Sequence, residues 1–526
     1  MHYQKNCDIG TDMNLLKAVR TIGGWTMLSR VCGFVRDVAF AIVAGAGQVA
    51  DVFFVAFRFP NMFRALFAEG AINAAFVPTF TKHMERYGQK RAEDFIQNSF
   101  TLMAIFMIVF VGVGIMLMPQ IMFVQASGFY HDREKFELTI SLSRILFPYL
   151  GFMVMNALFS GVLNSLGKFS VPAGSPVILN VCSIIVLVMV YMELFPLTGY
   201  ELAIGVLVAG VLQMTVLIIA CYRAGLKPVG IKFGLLEPTK TFFKKSMPVI
   251  FGASLLQLNI FIGTIFATTL ASGSVSYLYY ADRLVQLPLG VIGIAIGVAL
   301  LPLLSRAIEK GDRQSVQENQ SSALVMGVFL TLPATIAFLT IGHEIVMVLF
   351  QHGAFDSKAT HATALALKGF AFGLPAFVLV KVLTPAFFAR DDTKTPVRIA
   401  VFCMIINIIL SYVLMQRYAH FGLAIATSIS AWVNVFFLIG VFVHRGYEGF
   451  TYKIIYPLIK IFISSGVMSF VLLALLALVN DISLWTRAEK IIGLAGLVFI
   501  GKMVYFVSNI LLRTITIAQI KNSFKR

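Results

Sequence analysis

Charge is scarce in this sequence, and negative charge scarcer than positive. Only 13% of the 526 residues are Asp, Glu, Lys or Arg, with 25 acids against 42 bases and a formal charge of +17. Soluble domains carry roughly a quarter charged residues, so too few are present here to dress a water-facing surface. Cysteines number five, Cys7, Cys32, Cys182, Cys221 and Cys403, and no two form a C-x-x-C pair. That spacing excludes a zinc ribbon or a thioredoxin-like centre and leaves small apolar side chains. Also missing are G-x-x-x-x-G-K-[ST], H-E-x-x-H, and a third glycine that would complete Gly45-x-Gly47 into a dinucleotide loop. No nucleic-acid-binding motif accompanies the bases, and no water-facing cluster of Asp, Glu or His suits catalysis. No catalytic residue, metal, other cofactor or nucleic-acid partner is therefore expected.

What the chain has instead is apolar length: 58% hydrophobic residues, 48 phenylalanines and a mean hydropathy of +0.86. A helix needs about 20 apolar residues to cross the hydrocarbon core. That measure predicts an all-α polytopic membrane protein with 14 transmembrane helices, near 22–44, 52–79, 98–118, 139–163, 173–192, 201–221, 246–270, 276–305, 321–349, 361–388, 396–416, 421–443, 454–479 and 490–512. The first apolar stretch contains Arg30, Arg36 and Asp37, unlike a cleavable signal peptide, and is expected to stay. Alternate connections hold 27 and 6 Lys and Arg, the larger number on the side of both termini, which are therefore expected in the cytoplasm. Asp391-Asp392, beside Lys394 and Arg398, reads as a turn with local ion pairs, and His343, His352 and His361 as interfacial polar residues.

The chain also repeats itself. Val77-Pro78 recurs as Leu301-Pro302 and Ser170-Val171-Pro172 as Lys394-Thr395-Pro396, both at an offset of 224 residues; the stretch from Met122 to Phe129 echoes that from Met347 to Phe355. Such an offset holds six helices. It predicts two pseudo-symmetric six-helix lobes of the same orientation, with a central cavity between them. The expected division is an N-terminal extension 1–12, an N-lobe 13–222, a basic linker 223–245, a C-lobe 246–444, and an appended helix pair in 445–526.

Nine bases remain inside the spans: Arg30, Arg36, Arg58, Arg64, Arg144, Arg283, Lys368, Lys381 and Lys502. The acids grouped near the clustered bases are Asp37, Asp51, Glu69 and Asp282. A charge at bilayer depth costs at least about 2.5 kcal/mol, so these groups are expected to face a protein-lined, watered cavity. On a straight helix Arg30 and Asp37 share a face, as do Asp51 and Arg58, while Arg36 and Arg64 point elsewhere. A kink or loosened turn at Gly33 and Pro60 is expected to redirect them. Isolated Arg144, Lys368 and Lys502 read equally well as interhelical locks or as side chains reaching the surface. For the clustered arginines a lock would be neutral, and they outnumber the nearby acids. Excess guanidinium calls for an anion, and its planar fork suits phosphate.

The blocks Ser29-Arg30-Val31-x-Gly33-Phe34-x-Arg36-Asp37, Asp51-x-Phe53-Phe54-Val55-Ala56-Phe57-Arg58-x-Pro60-Asn61-x-x-Arg64-x-x-Phe67-Ala68-Glu69-Gly70 and Phe76-Val77-Pro78 stand close together. With Ser276-x-x-Tyr279-Tyr280-Ala281-Asp282-Arg283 and Asp392-Thr393-Lys394-Thr395-Pro396, they resemble the MurJ (MviN) lipid II flippases of the MOP exporter superfamily from Met13 onward. The resemblance implies a transporter of the bacterial cytoplasmic membrane and not an enzyme. Its cargo would be an undecaprenyl-pyrophosphate-linked disaccharide-pentapeptide, carried from inner to outer leaflet by alternating access. It assigns substrate binding to Arg30, Arg36, Arg64 and Arg283, and cavity or gate roles to Asp37, Asp51, Arg58, Asn61, Glu69, Ser276 and Asp282. It makes the last two helices a lipid-tail groove, and implies a monomer that associates with cell-wall synthesis machinery. Three features depart from the family pattern: residues 1–12 precede the usual start, Ala65 replaces a second Arg, and 246–270 lacks the carboxylate of a sodium site. The alternatives are another lipid-linked oligosaccharide or multidrug exporter of the superfamily, and a membrane enzyme acting on polyprenyl phosphates. A cation-drug exporter should have an acidic cavity.

Overall fold

In lipid a backbone must satisfy its own hydrogen bonds, and an apolar run achieves that as a helix. The computed structural model describes residues 7–66, 72–447, 454–478 and 485–514; all of its regular structure is helical, and no strand occurs among the described residues. The chain divides into two compact units, Met1–Gly273 and Ser274–Arg526.

The first unit contains α1 (Cys7–Ala44), α2 (Gln48–Leu66), α3 (Ile72–Met116), α4 (Met118–Gln125), α5 (Arg133–Leu146), α6 (Tyr149–Ser165), α7 (Ser170–Tyr191), α8 (Tyr200–Arg223) and α9 (Glu237–Thr268). Residues 7–12 of the expected extension thus continue α1. Helix α3 is not straight. Gly88 adopts φ 78°, ψ 176°, and the rings of Phe76 and Phe95 stack 5.2 Å apart. Nineteen residues of straight helix would separate them by about 28 Å, so α3 is two arms folded back at Gly88. The run expected as one span over 139–163 lies within one apolar span, Arg133–Ser165, in which Phe147-Pro148 joins α5 to α6 with helical torsions. Buried Phe59, Phe76, Phe80, Phe95, Phe147 and Phe159 form the core of this unit. Helix α9, expected to open the C-lobe, packs here against α2, α3 and α4.

The second unit contains α10 (Ser274–Pro288), a π-helical turn over 289–293, α11 (Ile294–Glu309), α12 (Arg313–Thr340), α13 (Gly342–Phe350), α14 (Ser357–Phe388), α15 (Lys394–His444), α16 (Ile455–Leu478) and α17 (Arg487–Leu511). A straight 51-residue α15 would be about 76 Å long. Yet Asp392, just before it, is ion-paired with Arg445, just after it. The reversal is at Ala419, with φ 46° and ψ −131°. Helix α15 is therefore a hairpin whose arms correspond to the expected spans 396–416 and 421–443. The appended helices α16 and α17 pack on each other and on α12, where the Tyr505 hydroxyl donates to the Phe329 carbonyl at 2.7 Å.

Among the described residues nine helical segments are long and apolar enough to cross a membrane, with the hairpins α3 and α15 each counted once. Helices α1, α2 and α10 are not among the nine. They carry the arginines of the expected site.

Candidate functional site

Helix α1 packs on α7, where a Cβ on Gly33 would meet the Asn180 amide at an ordinary contact distance of 3.6 Å. Asn180 uses that proximity twice. Its Nδ2 donates to the Ser29 carbonyl at 3.1 Å, and its Oδ1 accepts from Arg36 Nη1 at 3.1 Å. The rest of the Arg36 fork closes on its neighbour, with Nη2 at 2.7 Å and Nε at 3.1 Å from Asp37 Oδ1. Asp37 is buried. Arg36 is thus ion-paired with Asp37, and Pro60, where a kink is expected, lies inside α2.

On α2, Arg64 Nε donates to Asn61 Oδ1 one turn earlier, at 2.7 Å. Both Arg64 and Arg36 lie close enough to Tyr149, at the start of α6, for their charges to act on its hydroxyl. Tyr149 is 1% exposed and its hydroxyl has no hydrogen-bond partner among the described residues. Unsatisfied buried hydroxyls are uncommon, and a ligand is one of the usual reasons for them. The sequence reading missed both Tyr149 and Asn180. Neither is charged, so nothing in their own apolar runs singles them out.

Arg30 and Arg58 are half-buried on α1 and α2. Glu69 lies outside the described residues. Asp51, expected on one face with Arg58, has buried partners on other elements: its Oδ2 accepts from Lys135 Nζ at 3.1 Å and from the Gly273 backbone N–H at 2.7 Å. Lys135 also donates to Ser272 Oγ at 3.2 Å and stands 4.1 Å over the Phe129 ring. Both ions are buried, with side chains 7% and 1% exposed. The Asp132 carboxylate caps α5 by accepting from the Lys135 N–H, which places this lysine in the first turn of a helix turned inward.

In the second unit Arg283 Nη2 donates to the Tyr279 hydroxyl at 3.0 Å, and its guanidinium lies 4.7 Å over the same ring. Ser276 is buried on the preceding turn, and Asp282 is half-buried and accepts from Gln286 at 3.4 Å. Arg144 and Lys502 are exposed, and Lys368 is half-buried. Among the described residues no group of His, Cys, Asp and Glu could hold a metal ion, and the four described cysteines are free. Asp392, expected in a turn with local ion pairs, is instead paired with the distant Arg445.

Among the described residues, Asp37, Asn180 and Asn61 hold the forked donors of Arg36 and Arg64 in the first unit, and Tyr279 holds that of Arg283 in the second. The family model described as "Lipid II flippase MurJ" matches residues 40–495. The chain is 37% identical over 522 residues to a "Probable lipid II flippase MurJ" of Rhizobium tropici, covering 98% of this chain and 97% of that protein. It is 36% identical to the "Lipid II flippase MurJ" of Burkholderia cenocepacia, over 80% and 82% of the two chains. A solved structure titled "Lipid II flippase MurJ, inward closed conformation" superposes with a TM-score of 0.78 at 26% identity, over 93% of this chain and 98% of that one. An inward-facing MATE family transporter of the MOP superfamily shares the fold, with a TM-score of 0.65 at 14% identity.

Proposed function

The chain belongs to the lipid II flippase MurJ family, and from that premise we propose how its residues hold and move the substrate. It is a lipid II flippase serving peptidoglycan synthesis, a multi-pass membrane transporter and not an enzyme. The pyrophosphate of the incoming lipid engages Arg36 and Arg64, joined by Arg30 and by Arg283. Asp37 holds the Arg36 fork until the substrate competes for it, and Asn180 keeps Nη1 aimed meanwhile. A diphosphate offers more negative charge and more acceptor oxygens than one carboxylate, so the exchange favours the substrate. The observation that supports this reading most directly is the buried, unpartnered Tyr149 hydroxyl on which the Arg36 and Arg64 charges act. Asp51, Arg58, Asn61, Glu69, Ser276 and Asp282 serve the cavity or its gates.

Transport runs from inner to outer leaflet by alternating access, through fourteen crossings with both termini in the cytoplasm and the lipid tail against α16 and α17. The N-lobe, linker, C-lobe and appended pair keep the boundaries given above, and the protein works as a monomer associated with cell-wall synthesis machinery. The test is replacement of the native flippase by Arg36→Ala and Arg283→Ala proteins that insert normally. Each should fail to sustain cell-wall synthesis and should leave the pyrophosphate-linked precursor in the inner leaflet of a leaflet-resolved assay. Normal growth of either strain overturns the assignment.

A further inference from the structure

Between α8 and α9 the chain runs without regular structure, and residues 225–236 lie along the second arm of α3. Side chains of that arm satisfy the strap's backbone. Gln89 donates to the Gly225 carbonyl (2.6 Å), Gln97 to Lys227 (2.9 Å), Thr101 to Gly230 (3.0 Å), and Asn98 to both Lys232 (2.9 Å) and Gly234 (2.8 Å). Thr101 Oγ1 and Asn98 Oδ1 accept in return from the N–H groups of Lys232 and Leu236, and Lys232 is ion-paired with Asp94. Gly230 passes so near that a Cβ would meet the Gln97 amide carbon at 2.6 Å.

From Leu226 to Phe233 the strap alternates with period two, as extended chain does. Leu226 and Pro228 are buried, while Lys227, Val229, Ile231, Phe233 and Leu235 point outward. The outward set is apolar after its first member, with Ile231 79% and Phe233 76% exposed. Its depth is set by α3. Arg91, Glu93 and Asp94 are the last charges of that arm, and none follows to Met116. Strap contacts climb from Gln89 to Thr101, about 18 Å along the helix axis, so Ile231 and Phe233 sit where the apolar run begins. Six bases in 222–245, Arg223, Lys227, Lys232, Lys240, Lys244 and Lys245, face one acid, Glu237.

We propose that the 225–236 strap is an interfacial anchor, laying Ile231, Phe233 and Leu235 into the headgroup boundary of an anionic leaflet while the surrounding lysines meet lipid phosphate. Apolar side chains beside bases are the composition that binds such a surface, about 5–10 Å into the boundary. Satisfying the strap's backbone from α3 is what a chain at the edge of hydrocarbon requires. The inference needs the protein to span a membrane, but not the cargo or the orientation proposed above.

The test uses full-length protein in nanodiscs of phosphatidylcholine and phosphatidylglycerol, with Phe233→Trp and, as a second reporter, Ile231→Trp. The emission of native Trp25, Trp432 and Trp485 is subtracted with the parent protein. The added indole should lose most of its emission when lipids brominated near the glycerol are used, and little to aqueous iodide. Removing phosphatidylglycerol should weaken the lipid quenching. Iodide quenching without bromolipid quenching at both positions overturns the proposal, and so does protection from both quenchers, which would mean a protein cover. Neither readout uses transport, so failure here leaves the flippase assignment standing.

Discussion

A carboxylate that no water can reach needs a cation, and Asp51 finds Lys135. Removing one partner of a buried pair leaves an uncompensated ion and costs about 3–5 kcal/mol, whereas replacing both with apolar groups is often near neutral. Lys135→Met should therefore lower the melting temperature of detergent-solubilised protein sharply, and Asp51→Leu combined with it should recover most of the loss. If the double variant melts no higher than the single one, the pair is not what stabilises this corner. Tyr149 makes the opposite prediction. Its buried hydroxyl lacks a partner, a burden of about 1–3 kcal/mol, so Tyr149→Phe should melt at the same temperature or higher while binding the pyrophosphate-linked precursor several-fold more weakly. Unchanged binding would make the hydroxyl structural. These pairs mark how much of the site is visible in one dimension. Arg36 and Asp51 stand out because a charge in an apolar run has no local explanation. Lys135 sits in the polar stretch His131-Asp132-Arg133-Glu134-Lys135 and Asn180 in an ordinary apolar helix; they matter only through partners 84 and 144 residues away.

Among elements, the hairpins were legible and the joints were not. Length and the bases around Ala419 place a break in α15, and the Asp392–Arg445 pair supplies the closure. Burial pushes the Asp392 carboxyl up, but bonds from Thr395 and Arg445 outweigh it and hold the group below its ordinary value. A carboxyl lowered by folding adds stability above its unfolded value, about pH 3.9, and that contribution is lost as pH falls through the folded value. Asp392→Asn should thus lower the melting temperature at neutral and mildly acidic pH and match the parent in strong acid. A difference that persists in strong acid would point to the Thr395 N–H bond to the Asp392 side chain rather than to its charge. Breaks that depend on packing are harder to read from sequence. The 3₁₀ turn Ser127–His131 abuts the end of α9, where a Cβ on Gly128 would stand 2.1 Å from the Thr268 carbonyl oxygen. That neighbour is backbone and cannot swing aside, so Gly128→Ala should destabilise by about 1–3 kcal/mol, seen as a lower melting temperature. Its echo in the repeat suggested a landmark at Gly128, but not this contact.

At the scale of the whole molecule, sidedness follows from which bases meet water. Burial of Lys135 takes one base from the six counted on the poorer side, against 27 counted on the richer. The connection 193–199 contains no Lys or Arg at all. A phosphatase reporter inserted after Thr198 should be active outside the cytoplasm, and fluorescent reporters at either terminus should mature inside. The parity of the result tests the fold as well as the topology. Helices α3 and α15 each turn back on themselves, so each adds an even number of passes if both arms cross. Termini reporting from opposite sides would require an odd total, and one folded-back arm would then have to stop at the surface. Two active cytoplasmic reporters with a silent phosphatase at Thr198 would instead break the order of passes within the first unit, between the Arg36 helix and α8.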